Sequence, residues 1–178
     1  MLRRLRETGP VVLVPLAWLF ATAAHLQYLE LRTVLIAHVV MDVLLFGFAA
    51  LSWRDMQAHP VLKAWLAVIA AGFGITLVGT YALVTGGDET LLRATVFGWM
   101  LVPAVALYYT GQVLPAEERA AAYTVGGWLS GLGALFFVDA AVAGPFTTLF
   151  AGIDLTLLSL AVVGVGQTVG IAVAVLEY

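Results

Sequence analysis

The sequence predicts an all-α, polytopic membrane protein: a single transmembrane domain over residues 1–178, folded as a compact bundle of six helices. Of the 178 residues, 62% are hydrophobic and only 11% are charged, which is roughly half the charged share of a soluble domain. The apolar residues also form six runs near the roughly 20 residues that cross a bilayer, so we expect lipid as the main partner. The predicted spans cover residues 10–31, 34–53, 61–84, 91–114, 121–142 and 147–176.

The first predicted span follows a short basic segment, Arg3 to Arg6. An apolar run of this kind that ends in small residues, here Ala21 to Ala23, is also typical of a signal peptide with its cleavage site. We interpret the run as a membrane span. A very short turn at Arg32 and Thr33 then leads into the second span.

The later spans carry helix signals at or near their ends. Pro60 can open the third helix, because the first turn does not need the N–H that proline lacks. Asp88 is placed to cap the fourth helix. Pro103 lies inside that helix, where we expect it to kink the backbone and to free a carbonyl. Gly144-Pro145 separates the fifth span from the sixth.

The orientation follows from the distribution of basic residues. Cytoplasmic ends of membrane helices carry an excess of Lys and Arg. Six basic residues lie at or near the end that holds both termini, against two at the other end. We therefore expect both termini in the cytoplasm (N-in, C-in) of a cell-membrane protein. The six are Arg3, Arg4, Arg6, Arg54, Lys63 and Arg119, and the two are Arg32 and Arg93.

Composition also excludes several classes of function. The net charge is −3 and no basic block is present, which argues against nucleic acid as a partner. The chain has no cysteine, so disulfides, thiol catalysis and cysteine-ligated metals are excluded. The predicted loops are too short to hold an active site. Any function must therefore be located inside the bundle or at its rims.

Titratable side chains inside spans are costly and indicate function. His25 lies about six residues before the first outer turn and His38 about six after it, so we expect the two rings to face each other at similar depth. Asp42 follows His38 by one helical turn on the same face. His25 and His38 could ligate one haem iron, or share a divalent metal with Asp42, although two histidines alone make a poor metal site. The sequence does not identify a cofactor.

A second group of polar residues surrounds the last predicted hairpin. Asp139 precedes Pro145 by six residues and Asp154 follows it by nine, which predicts two carboxylates at comparable depth on adjacent helices. Arg93 is predicted to enter the same outer half and to neutralise one of them. Trp128 is predicted to lie below Asp139 on one helix face.

Three hypotheses for these residues remain open. The first is a small transporter or channel with an outward-facing polar site, because paired carboxylates with histidines suit proton coupling. Its predicted substrate or proton site consists of Asp42, Arg93, Trp128, Asp139 and Asp154. The second is a membrane-embedded haem or metal protein, redox or hydrolytic, using His25 and His38. The third is a non-catalytic subunit of a larger membrane complex, in which the polar network only fixes helix packing.

Glycines at four-residue spacing predict where helices approach each other closely. The fifth span contains Gly127 and Gly131, and the sixth contains Gly166 and Gly170. The third span contains a further pair, Gly72 and Gly74. The partner helix of each pair belongs either to the same chain or to another copy of it, which would make a homo-oligomer.

Overall fold

The computed structural model describes residues 2–115 and 119–177, with side chains for residues 12–115 and 119–173. This part of the chain contains seven α-helices and one 3-10 turn and has no strand. The helices are α1 (Leu2–His25), α2 (Leu31–Ser52), α3 (Pro60–Val84), α4 (Glu89–Val113), α5 (Ala120–Val142), α6 (Pro145–Leu149) and α7 (Leu155–Glu177), and the 3-10 turn is Asp55–Gln57.

Five helices are long and apolar enough to cross a membrane, namely α2, α3, α4, α5 and α7. The chain is therefore a multi-pass membrane protein by the length and composition of its helices. In α1 the described apolar stretch, Val12–His25, is shorter than the other five. We call the end with the turns after α1, α3 and α5 the Asp154 end, and the opposite end the Lys63 end.

The last predicted span differs from the structure. Residues 147–176 are not one helix, because a turn separates the short α6 from α7. Gly152 has a φ of +90° in this turn, a conformation that favours glycine. Asp154 then caps α7, since its Oδ1 accepts a hydrogen bond from the Leu157 N–H at 2.9 Å. Asp154 is therefore at the rim of the bundle rather than inside a span.

The first helix also ends earlier than predicted. The prediction placed the end near residue 31, but α1 ends at His25. Gln27 has a left-handed backbone with a φ of 60°, which ends the helix because L-residues do not continue a right-handed helix from that conformation. Between His25 and α2 lies a turn in which the Tyr28 N–H donates to the Ala23 carbonyl at 2.9 Å.

The helices pack side by side in the order α2, α3, α4, α5, α7, α1, with α6 against α5 and a further contact between α4 and α7. The main hydrophobic core lies where α1, α4, α5 and α7 meet. It includes the fully buried side chains of Met100 and Val163. In contrast, α2 packs mainly on α3 and buries little of its surface.

Glycines allow the tightest of these contacts. A Cβ atom built on Gly126 would lie 2.6 Å from the Gly166 carbonyl oxygen, and one on Gly166 would lie 2.7 Å from that of Gly126. Because the obstructing atoms are backbone, α5 and α7 could not approach so closely with larger residues. On the other side of α5, a Cβ on Gly127 would lie 3.0 Å from the Ala104 carbonyl oxygen of α4.

The predicted glycine pairs are therefore used only in part. Gly72 accommodates the Trp99 ring, and Gly170 lies against Leu107. A Cβ on Gly74 or Gly131 would meet nothing within 4 Å. The helix partners of the occupied glycines lie in the same chain. The homo-oligomer stays a prediction.

Pro103 lies inside α4 and has no N–H to donate to the carbonyl four residues earlier. That carbonyl belongs to Trp99, and it accepts a hydrogen bond from Gln167 Nε2 at 3.0 Å. The other atom of the same amide, Gln167 Oε1, accepts from Trp18 Nε1 at 3.0 Å. One buried side chain of α7 thus joins α1 to α4 and satisfies the carbonyl that proline frees.

The hydrogen-bonded chain continues into α3. The Trp99 indole Nε1 donates to Thr76 Oγ1 at 3.1 Å, and Thr76 Oγ1 donates to the Gly72 carbonyl at 2.8 Å. We call the set Trp18, Gln167, Trp99 and Thr76 the Gln167 chain. It connects α1, α7, α4 and α3 through polar groups that lipid could not satisfy.

A double-mutant cycle tests whether Gln167 compensates for Pro103. Gln167→Leu should destabilise the protein by about 1–2 kcal/mol, because the Trp99 carbonyl and the Trp18 N–H both lose their partner. In a Pro103→Ala background the restored N–H can bond to the Trp99 carbonyl. The same Gln167→Leu change should then cost less, by about 0.6 to 1.7 kcal/mol. Unfolding in mixed micelles measures both steps; equal costs in the two backgrounds would contradict the coupling.

Candidate functional site

Asp42 is a buried carboxylate with a hydrogen-bond partner for only one of its two oxygens among the described residues. It lies on α2, eleven positions after Leu31 and about 16 Å along the helix axis. Only 8% of the residue is exposed. Oδ2 accepts a hydrogen bond from Thr80 Oγ1 of α3 at 2.6 Å. Oδ1 is buried and has no hydrogen-bond partner among the described residues.

His38 lies one turn before Asp42 on the same helix. Its Nδ1 is 2.9 Å from the Val34 carbonyl oxygen. A carbonyl can only accept, so Nδ1 carries the hydrogen and donates it. In the neutral ring Nε2 is then an acceptor, and it has no hydrogen-bond partner in the part of the chain with described side chains.

Gly79 of α3 makes room for this imidazole. A Cβ atom built there would lie 2.9 Å from both Cδ2 and Nε2 of His38, and 2.9 Å from Cγ2 of Thr95. Thr95 is itself buried, and its hydroxyl donates to the Leu91 carbonyl of α4 at 2.9 Å. Helices α2, α3 and α4 therefore meet at the His38 imidazole. We call His38, Asp42, Thr80 and Thr95 the Asp42 cluster.

The second histidine is part of a different contact. His25 Nε2 lies 3.0 Å from Asp154 Oδ2, which joins the end of α1 to the start of α7. The pair is partly exposed, with 34% of the His25 side chain and 47% of the Asp154 side chain accessible. The hydrogen bond from the Leu157 N–H lowers the pKa of Asp154 most. Burial opposes it as the next-largest effect, and the hydrogen bond and charge of His25 lower the pKa further.

Asp139 accepts hydrogen bonds from the start of the short helix α6. Its Oδ2 accepts hydrogen bonds from the Thr147 N–H at 2.8 Å and from the Thr147 hydroxyl at 3.0 Å. Oδ1 accepts from the Phe146 N–H at 3.3 Å. Gly144 lies directly against this carboxylate, so any side chain there would collide with it. Asp139 thus fixes the turn between α5 and α6.

The two remaining predicted site residues face outward. Arg93 forms an ion pair with Glu89 on the same helix, with Nη2 2.6 Å from Oε1, and both side chains are more than half exposed. Trp128 is 66% exposed and packs edge-on against Tyr108, with ring centroids 5.7 Å apart. Whether either residue takes part in a substrate site stays a prediction.

The predicted site residues thus make separate contacts. Asp154 is paired with His25, Asp139 with the backbone of α6, and Arg93 with Glu89. The predicted facing of His25 and His38 is replaced by two different contacts, His25 with Asp154 and His38 with Gly79. In the region that the structure describes, no group of three or more His, Asp or Glu side chains could hold a metal ion.

The sequence analysis did not identify Thr80 and Thr95 of the Asp42 cluster, or Gly79, which makes room for its imidazole. Gly79 and Thr80 adjoin near the Asp154 end of α3, and a small residue beside a hydroxyl is too common in membrane helices to indicate a site. The sequence analysis also did not connect Gln167 with Pro103, although the freed carbonyl of Trp99 required a donor. Position along each helix was predictable, whereas rotation about the helix axis was not.

Comparison of the chain with protein-family models, with curated proteins and with solved structures finds no match. The function must therefore be argued from the chain's own residues.

The pH dependence of stability should report the cap at Asp154. Asn caps a helix about as well as Asp, so Asp154→Asn removes the charge and keeps the cap. Because the folded pKa lies below the ordinary 3.8, the ionised carboxylate stabilises the fold fully above that value, and the effect is lost as the pH falls below it. At pH 7 the variant should be less stable by about 0.3–1 kcal/mol.

Thermal unfolding of wild type and Asp154→Asn between pH 3 and pH 7 measures this difference. The curves should converge at the acidic end. In a His25→Gln background the difference at pH 7 should shrink, because one source of the lowered pKa is gone. A gap that is constant over the whole pH range would refute the charge effect.

Proposed function

We propose that the protein is a small transporter or channel of the cell membrane, with the Asp42 cluster as its proton-coupled polar site. The observation that supports this most is Asp42 Oδ1, a carboxylate oxygen buried in a membrane helix without a hydrogen-bond partner among the described residues. Ionisable residues within membrane helices are costly, and they typically mark ion and proton pathways.

The position of Asp42 fits such a role. It lies eleven residues after the start of α2, and its partner Thr80 lies four residues before the end of α3, so the site is within the membrane helices on the side of the Asp154 end. An ionised carboxylate at this depth needs a positive or hydrogen-donating partner for each oxygen. Thr80 serves Oδ2 alone. A proton, a cation or a donor group of a solute would complete the site at Oδ1.

His38 supplies a second titratable group one turn away on the same helix face. Its Nδ1 is held by the Val34 carbonyl, so Nε2 is the ring atom that can take or release a proton. Histidine and aspartate side chains within membrane helices are typical of proton relays. This pair supports proton coupling as the mechanism.

The alternatives fit the geometry less well. The haem or metal hypothesis needs His25 and His38 to approach one ion, yet His25 Nε2 is bonded to Asp154 and His38 Nε2 lies against Gly79. The hypothesis of a non-catalytic subunit predicts a polar cluster that is fully paired. The unpartnered oxygen of Asp42 argues against it.

Proton flux into liposomes tests the proposal. Wild-type protein, reconstituted with an entrapped pH-sensitive dye, should dissipate an imposed pH gradient faster than protein-free liposomes. Asp42→Asn should reduce the flux to the protein-free level, because the amide cannot carry a proton between the two sides. His38→Gln, a second variant in the same cluster, should also slow the flux.

Asp154→Asn is the matched control, since it removes a carboxylate that lies at the rim and is already paired. It should keep the wild-type flux. Thermal unfolding and size-exclusion profiles establish that each variant is folded. A wild type that moves no protons under any gradient, or an Asp42→Asn variant with unchanged flux, would overturn the proposal.

We also propose six membrane crossings with both termini in the cytoplasm. α1 runs from Leu2 to His25 and is long enough to cross a bilayer. With the five long apolar helices it would bring the number of spans to six. The excess of basic residues at the Lys63 end supports the orientation, and it makes the Asp154 end the outer one. Reporter fusions after Tyr178 and within the turn after α3, at Gly87, should report cytoplasm and exterior respectively. The reverse result would invert the orientation.

A further inference from the structure

We propose that a pocket at the Lys63 end binds a phosphate group, that of an anionic lipid headgroup. The pocket is an open groove with a volume of about 610 Å³. It lies between the 3-10 turn, the start of α3 and the last turns of α4. It is separate from the Asp42 cluster, which lies towards the opposite end of α3.

The lining combines one cation with two neutral polar groups. Lys63, Gln57 and Tyr109 provide these, and the rest of the wall consists of Pro60 and three alanines, of which Ala67 lies deepest along α3. The lysine ammonium, the glutamine amide and the tyrosine hydroxyl all carry hydrogen-bond donors. Lys63 is the only lysine of the chain. The pocket therefore offers several donors and one positive charge, which suits an oxyanion.

The charge of Lys63 is not neutralised within the described part of the protein. Lys63 takes part in no ion pair there, and no acidic residue lines the pocket. Asp55 lies in the adjacent 3-10 turn but outside the lining. A lysine with a free ammonium attracts an anion from solution or from the membrane.

The position of the pocket along the helices indicates that its anion belongs to a lipid. Lys63 is in the first turn of α3, and Ala67 lies about one turn further into the helix. Tyr109 is four positions before the end of α4, at a level where aromatic residues mark the membrane interface. Polar donors thus lie at headgroup level and small apolar residues at the start of the acyl region. A phospholipid matches this order, with its phosphate at Lys63 and its glycerol and chains along the alanines.

Native mass spectrometry of the purified protein tests this proposal. We would compare the retention of phosphatidylglycerol with that of phosphatidylcholine of the same acyl chains. The wild type should prefer the anionic lipid. Lys63→Gln should weaken phosphatidylglycerol binding about fivefold, since one basic residue near the membrane surface contributes about that factor. Lys63→Arg, which keeps the charge, should bind within twofold of the wild type.

Arg54→Gln is the matched control, because Arg54 is at the same end but does not line the pocket. It should leave lipid binding unchanged. Equal weakening by Arg54→Gln and Lys63→Gln would overturn the proposal in favour of diffuse attraction to the basic end, as would undiminished binding to Lys63→Gln. Inorganic phosphate forms the third arm. Lys63-dependent displacement of the lipid by millimolar phosphate would confirm the phosphate site and assign it to a soluble ligand.

Discussion

The fold depends on the carbonyl that Pro103 leaves without a donor in the middle of α4. Within a bilayer no water is present to satisfy it, so a side chain from another helix has to do so. Gln167 donates to this carbonyl and at the same time accepts from Trp18. A local defect of one helix thereby becomes the contact that fixes three helices relative to each other. The position of α1 in particular follows from this amide, because its main neighbour is α7.

The hydrogen-bonded Gln167 chain includes α1, α7, α4 and α3 but not α2. Glycine contacts, in which backbone meets backbone, join α5 to α4 and to α7. By comparison, α2 packs mainly on α3, with the Asp42–Thr80 hydrogen bond and the Phe46–Phe73 ring contact between them. The proposed proton site lies at this boundary between α2 and α3.

The sequence predicted helix type and approximate length well, because long apolar runs leave few alternatives for a backbone in lipid. It also predicted that Asp88 caps α4, and the structure confirms this. It could not predict which residue each carboxylate would contact. Counting from a turn gives depth along a helix, but the side chain turns by about 100° per residue. Asp139 and Asp154, which were predicted to lie at comparable depth, accept hydrogen bonds from the starts of two different helices, α6 and α7. The prediction of one helix over residues 147–176 was wrong. Hydropathy does not reveal the turn between α6 and α7, in which Gly152 has a positive φ.

The contrast among the three carboxylates at the Asp154 side of the bundle explains why the site is assigned to Asp42. Asp139 and Asp154 accept hydrogen bonds from backbone N–H groups at helix starts, where a negative charge is favourable. Their presence is thus accounted for by local structure. Asp42 lies in the middle of a helix, where all nearby backbone N–H groups are already used by the helix itself. Thr80 satisfies one of its oxygens and cannot reach the other. The bond to Thr80 accounts for one oxygen of Asp42, and the proposed movement of a proton or cation would account for the other.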